Sequence, residues 1–509
     1  MPILLVFALT AACMPVPWPE PLVGGGERAA VGLTVAAVGL SALLSFAVRT
    51  WVVHTLRGSP SRKIEVMEGY ARLRRLLLFV NLGLAAACVL AFGWGWYVHR
   101  AAVVPGPGPG KSLLAPFAEL LVPAPYFAIL LTAWTIYYDA ERRIHQTTAF
   151  GPVPRPFWTR GGYVFHQLRQ FALLVMLPVV LFTTQQTLAR FAPELTRTDA
   201  YRIGSVAVVP VLVLFMPLLM KPLLGLKSMP AGPHRSRLEA LAARLHFRCA
   251  DFLLWPTHGA AANALIVGLL PRVRYVVFTD RILDDLPPDE LDAVLGHEVG
   301  HAKHGHIWLY AAFLGLSMTV LAALLVLLDQ RLAAAGVVLP EWADGWVALP
   351  PVAVLAAYIF LVFGYLSRRC ERQADVYGCR AVSCDDPNCT GHDASTVYPE
   401  RARGLCPTGL RTFARALERV GQVNLMDEPA GRRSLVQLVR GFLGWLRAWQ
   451  HSTMPRRVNF LLSLIDNPAR ERRFQRSVTL LRWTLLGGLA ALLYALGEAV
   501  GWRELMQVM

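Results

Sequence analysis

The 509 residues are 55% hydrophobic, have a mean hydropathy of +0.43 and carry a formal charge of +16. A chain so long and apolar is not one soluble domain; its long runs with few charges point to membrane spans. The charge does not signal nucleic acid, because the arginines lie between apolar runs with few interleaved aromatics and no RNA- or DNA-binding motif.

The first apolar run, Ile3 to Ala12, ends in Thr10-Ala11-Ala12-Cys13. A signal- or lipoprotein-like start is one reading, although no basic residue follows Met1 and the run is brief. Eight segments then read as spanning helices: Ala29–Val48, Leu76–Val98, Leu120–Tyr138, Phe171–Leu188, Ile203–Met220, Ile307–Leu328, Trp346–Leu366 and Val478–Gly497. The loops after the first and third are rich in arginine. Those after the second and sixth are not, so the positive-inside rule puts the amino terminus outside and both large hydrophilic stretches in the cytoplasm.

The expected fold class is therefore mainly α: a polytopic membrane protein with a small α+β, zincin-like catalytic domain. Residues 1–230 form a membrane domain of about five spans. Residues 231–306 and 367–477 form two catalytic parts around a membrane hairpin, 307–366, and a last span lies in 478–509. The protein is expected to be multi-pass with its catalytic side cytoplasmic, in the plasma or inner membrane if bacterial.

Within 231–306, Ala264-Leu265-Ile266-Val267 and Arg274-Tyr275-Val276-Val277-Phe278 predict a β-hairpin. A helix follows, with Pro287 and Pro288 at its start, Asp289 and Glu290 in its first turn, and Leu291, Val294 and Leu295 as its buried stripe. It carries His297-Glu298-Val299-Gly300-His301. Histidines four apart share one helix face and can hold one metal, while Glu298 leans towards the same point as a general base.

Tetrahedral zinc needs a further protein ligand besides water. The best candidate is Glu371 in Glu371-Arg372-Gln373-Ala374-Asp375, with Asp375 one turn on to fix a ligand's tautomer. The alternative is a solvated acidic pair beside Arg368, Arg369 and Arg372. Cys379, Cys384, Cys389 and Cys406, with His392 among them, read either as a second, structural zinc site or as free or redox-sensing thiols. Their x4 and x4 spacings lack a CxxC knuckle.

Over roughly residues 235–470 the sequence resembles the M48 membrane zinc peptidases, which include the CAAX prenyl protease and the heat-shock peptidase HtpX. The resemblance is carried by Asn263-Ala264 before a strand, Asp289-Glu290-Leu291, His297–His301, His306 and the Glu371–Asp375 segment. A histidine and arginine six apart, His451 and Arg457, are similar to the family's pair near the reacting carbonyl, although Ser452 follows His451 where the family often has proline. The resemblance implies a zinc endopeptidase with His297, His301 and Glu371 as ligands, Glu298 as base, and His451 and Arg457 beside the oxyanion.

The strand at Asn263 and Ala264 is either a substrate-accepting edge or an ordinary paired strand. The expected partners are a peptide or protein substrate, whether membrane, lipidated or misfolded, and the lipid bilayer, with no nucleic acid; the oligomeric state stays open. The competing function is a zincin-type membrane sensor with restricted proteolysis.

Overall fold

A computed structural model describes Leu9 and residues 20–102, 121–147, 156–336, 349–384, 386–393, 396–399, 404–424 and 453–502. The architecture is mainly helical with one small four-stranded sheet, as the sequence predicts. It forms two compact units, Met1–Lys227 with Trp255–Ala260, and Ser228–Leu254 with Ala261–Met509.

In the first unit, helices Gly26–Gly58, Lys63–Ala86 and Ala124–Thr147 pack through Val52, Leu56, Val66, Tyr70 and Ala140. Their outer faces leave Leu43, Phe46, Leu76 and Phe79 exposed, as lipid contact requires. Polar side chains turn inward and pair: Ser41 donates to Asn81 at 2.8 Å, and Arg49 forks onto Asp139 at 2.8 and 3.1 Å. An unpaired polar group in hydrocarbon would cost several kcal/mol, about the desolvation penalty of a lost hydrogen bond.

Among the described residues, four helices are long and apolar enough to cross a membrane: Gly26–Gly58, Glu65–Ala91, His306–Ala334 and Ala469–Val500. A fifth candidate, Asp199–Ser205 with Pro210–Leu224, bends by 48°. Proline within a helix removes an amide donor and clashes with the preceding turn, and Pro210 stands at the bend. The run Ile3–Ala12 lies outside the described residues apart from Leu9.

The sheet, whose residues other than Lys227 and Trp255 belong to the second unit, has the order β1-β2-β4-β3, with β1 Lys227–Ser228, β2 Asp251–Trp255, β3 Ala264–Val267 and β4 Tyr275–Thr279. The expected hairpin is β3–β4, antiparallel with Ala264 opposite Phe278 and Val267 opposite Tyr275. Val276, Val277 and Phe278 are fully buried because β4 is an inner strand, whereas β3 is an edge. The short run Asp251-Phe252-Leu253-Leu254-Trp255 forms β2, which the sequence reading did not anticipate.

The histidine helix is Pro288–Lys303 and the carboxylate helix is Leu349–Ala381. The expected span Trp346–Leu366 and the Glu371 segment are thus parts of one helix through the described residues, so the carboxylate is rigidly continuous with an apolar segment. The helices His306–Ala334 and Ala469–Val500 pack through Leu309, Phe313, Leu489 and Leu496.

Candidate metal centre

The histidine helix starts as its sequence dictates. Pro287 is its cap residue, Asp289 and Glu290 lie in its first turn, and Leu291 and Leu295 are buried while Val294 is half-buried. Glu290 does more than complement the helix dipole: it is buried and accepts from Arg419 at 2.8 and 3.3 Å.

Glycines govern how the carboxylate helix meets the histidine helix. A Cβ at Gly296 would stand 2.5 Å from the Ala381 Cβ, and one at Gly300 would stand 2.8 Å from the Tyr377 Cβ and 3.1 Å from the Ala374 Cα. From the other side, a Cβ at Gly378 would stand 2.8 Å from the Ala293 carbonyl oxygen. With no side chain between them, the backbones approach closely enough for a short acidic side chain to reach across. Glu371 Oε2 lies 3.9 Å from His297 Nε2, Glu371 Oε1 lies 3.7 Å from His301 Nε2, and the two Nε2 atoms are 3.3 Å apart.

Those separations suit a small dication. Bonds of about 2.0–2.1 Å to nitrogen and oxygen in a tetrahedron give ligand–ligand edges of roughly 3.3 Å. One ligand atom from each of His297, His301 and Glu371 can be chosen so that all lie within 4.8 Å of one another.

A polar layer behind these residues sets the imidazole tautomers. Asp375 Oδ1 lies 3.0 Å from His297 Nδ1, which directs the Nε2 lone pair towards His301 and Glu371. Arg457 grips Asp375 with two hydrogen bonds, one of 2.9 Å from Nε to Oδ2 and a second from the terminal nitrogen to Oδ1, and lies 3.4 Å from Glu371 Oε2. Around His301 a longer relay does the same job. His306 Nδ1 lies 2.9 Å from His301 Nδ1, His306 Nε2 lies 3.0 Å from Gln373 Oε1, and Gln373 Nε2 donates to Gln475 at 2.7 Å. The Gln373 oxygen only accepts, so His306 carries its proton on Nε2 and accepts on Nδ1. His301 then donates from Nδ1, leaving its Nε2 lone pair for a metal.

Electrostatics follow from this packing. Burial pushes the Glu298 carboxyl up to about 7, with the nearby Glu371 charge adding to the shift and His297 opposing it. Burial also opposes charge on His297, but Asp375 overrides it and the pKa is raised. His301 is held well below its ordinary value by burial and by His297. Asp375 is lowered: burial disfavours its charge, but Arg457 and His297 outweigh that.

Glu298 Oε2 also accepts from the Ile266 amide of edge strand β3 at 3.3 Å. Ala264 is the first residue of β3, and exposed Asn263 precedes it with its backbone paired to Thr279. His451 lies outside the described residues. Cys379 stands apart from the other three cysteines, fully buried in the core of this unit. Cys384, Cys389 and Cys406 converge instead with His392.

Three participants escaped the sequence reading. Gln373 was legible only as a polar residue between Glu371 and Asp375. Gln475 precedes the last apolar run without a motif. Phe413, whose ring stacks on His297 at 5.6 Å and 24°, belongs to the amphipathic helix Pro407–Val423, which periodicity alone assigns to a core face.

Residues 233–392 match the family model described as Peptidase family M48. The CAAX prenyl protease 1 homolog of Arabidopsis thaliana is 30% identical over 99 residues, 19% of this chain and 23% of the relative, so the match spans about a quarter of that relative's length. The crystal structure of S. mikatae Ste24p superposes with a TM-score of 0.52 over 87% of this chain and 100% of its own, at 14% identity. At that identity the likeness is one of fold. The resemblance to M48 membrane peptidases carried by the sequence motifs is borne out.

Proposed function

We propose that this protein is a membrane-embedded zinc endopeptidase. The observation that carries the reading is the convergence of His297 Nε2, His301 Nε2 and the Glu371 carboxylate on one point, with Asp375 Oδ1 3.0 Å from His297 Nδ1 and His306 Nδ1 2.9 Å from His301 Nδ1. Two imidazoles and one carboxylate are the donor set of catalytic zinc, and they leave one position open. When bound, zinc supplies Lewis acidity that brings water to a pKa near 7 and polarises a carbonyl.

The chain supplies the rest. Glu298 takes the proton of the attacking water and delivers it to the leaving nitrogen, a task suited to a buried carboxyl one residue past the first ligand. Asp375 and His306 hold the ligand imidazoles in the productive tautomer. The paired fork of Arg457 on Asp375 favours a positioning role over the oxyanion contact implied by the family resemblance. His451 is retained as the candidate oxyanion group. The edge strand β3, whose Ile266 amide now donates to Glu298, can accept a substrate as an added strand, with Asn263 and Ala264 at its start.

Residues 231–306 and 367–477 would then form the catalytic parts on the cytoplasmic side, around a membrane hairpin. Lipidated peptides ending in a CAAX sequence are one substrate class, given the name of the plant relative; misfolded membrane proteins are the other. The test is Glu298→Gln in purified protein, which should keep its zinc and lose about 10²–10⁴-fold in peptide hydrolysis. Unchanged hydrolysis removes Glu298 from the mechanism and with it this reading.

A further inference from the structure

A second group of metal-binding side chains lies beyond the end of the carboxylate helix. One ligand atom from each of Cys384, Cys389, His392 and Cys406 can be chosen so that all four lie within 4.8 Å of one another. Three thiols and one imidazole converging from four separate positions is not a packing solution that apolar burial would select. In a tetrahedron, metal–sulfur bonds of about 2.3 Å and a metal–nitrogen bond of about 2.0 Å set edges of roughly 3.5–4 Å. The His392 Nε2 to Cys406 Sγ separation, 3.3 Å, is close to that range.

Three of the four donors are already oriented. Cys406 is the cap residue of the helix Pro407–Val423, and its sulfur accepts from the Gly409 amide at 3.2 Å. Cys389 Sγ lies 3.1 Å from the Thr408 hydroxyl in the same first turn. His392 Nδ1 lies 3.4 Å from the Tyr398 hydroxyl, which leaves Nε2 turned to Cys406. Cys389 and Cys406 are buried, and all three cluster cysteines are free thiols.

We infer that Cys384, Cys389, His392 and Cys406 form a second metal site, a closed Cys3His centre for a thiophilic dication of the zinc type. Four protein donors leave no position for water, so the site is structural. Its spacing is C-x4-C-x2-H-x13-C. The two-residue gap characteristic of a metal knuckle is present, but between a cysteine and a histidine. Counting from Cys379 hides it.

The surroundings say what such a site would hold together. Ser383, at the end of the carboxylate helix, accepts from the Cys406 amide at 3.2 Å and donates to the Cys379 carbonyl at 2.8 Å. A Cβ at Gly409 would stand 3.0 Å from the carbonyl oxygens of Cys379 and Val382. The start of the helix Pro407–Val423 is thereby pressed onto the end of the helix bearing Glu371 and Asp375. That same helix presents Phe413 to His297 and Arg419 to Glu290. The second metal therefore clasps the helix that braces the histidine helix, without touching the first metal's ligands.

The test is zinc per chain in the full-length protein purified in detergent. The expected result is two in the wild type, one in Cys389→Ser/Cys406→Ser, and one in His297→Ala/His301→Ala. One zinc in the wild type that persists in the cysteine variant overturns the inference. If the cysteine variant does not fold, Co2+ added to the metal-free His297→Ala/His301→Ala protein decides: a thiolate-to-cobalt charge-transfer band supports the site, and its absence rejects it. Because the active-site ligands are missing from that protein, the result stands apart from whether the first centre is a peptidase.

Discussion

Gly378 lies directly against His297: a Cβ at Gly378 would fall 3.1 Å from the His297 amide nitrogen and 3.2 Å from its Cβ. The carboxylate helix can press onto the histidine helix only because this position has no side chain. Glu371, two turns earlier, reaches the imidazoles as a consequence.

Gly378→Ala is therefore expected to destabilise, although alanine normally stabilises a helix interior by about 1 kcal/mol relative to glycine. Overpacking of roughly 1–3 kcal/mol should appear as a lower unfolding midpoint, together with weaker zinc retention against a chelator. Gly487→Ala, at a helical position with nothing within 4 Å, is the control. Matching behaviour of the two variants would show that helix approach is not limited at Gly378.

Asp375 has two neighbours that its removal would affect differently. Asp375→Asn keeps the shape but weakens the hold on His297 and should lower zinc affinity about 10–100-fold. Asp375→Ala additionally removes the carboxylate that Arg457 grips and leaves that buried charge only Glu371, at 3.4 Å, which should cost roughly 3–5 kcal/mol of stability. Chelator competition and denaturant unfolding separate the two effects; equal stability losses would mean that Glu371 alone suffices to hold the Arg457 charge.

The relay behind His301 predicts an effect at a residue that touches no metal. Gln373→Leu removes the acceptor that fixes His306, so His301 loses its tautomer bias and zinc affinity should fall about 10-fold or more. Gln373→Glu restores an acceptor and should recover most of it. Identical affinity in the wild type and the leucine variant would exclude the relay.

Glu298 makes a pH prediction with a definite sign. In the metal-free protein its pKa is raised from 4.5 to about 7 by burial. Between those values the folded state holds a proton that the unfolded state has released, so its contribution to stability is present at low pH and is lost as pH rises through about 7. The size is of the order of 3 kcal/mol at 1.36 kcal/mol per pH unit. His301 acts oppositely, since its lowered pKa favours the folded state above its ordinary value. The difference between wild-type and Glu298→Gln unfolding curves isolates the glutamate; parallel curves from pH 4 to 8 would show that its pKa is ordinary. In the zinc-loaded protein the cation pulls this pKa down, so the acid limb of peptide hydrolysis should lie below 7.

What the sequence determined by itself is local. Four-residue histidine spacing, a proline and acidic helix start, apolar runs of membrane length and the alternation of basic loops are all written in contiguous residues, because helix period and bilayer thickness act on neighbours along the chain. The pairing of Ala264–Val267 with Tyr275–Thr279 was legible for the same reason. Tertiary structure alone decided that Gly296, Gly300 and Gly378 bring two helices within backbone contact, that Arg457 grips Asp375, and that His306 leans on Gln373. It also decided that His392, and not Cys379, joins the three outer cysteines. These adjacencies join residues dozens of positions apart, and nothing in a local pattern records which faces of two helices will meet. That is settled by where the backbone can come close, and a missing side chain marks such a place only once its neighbour is known.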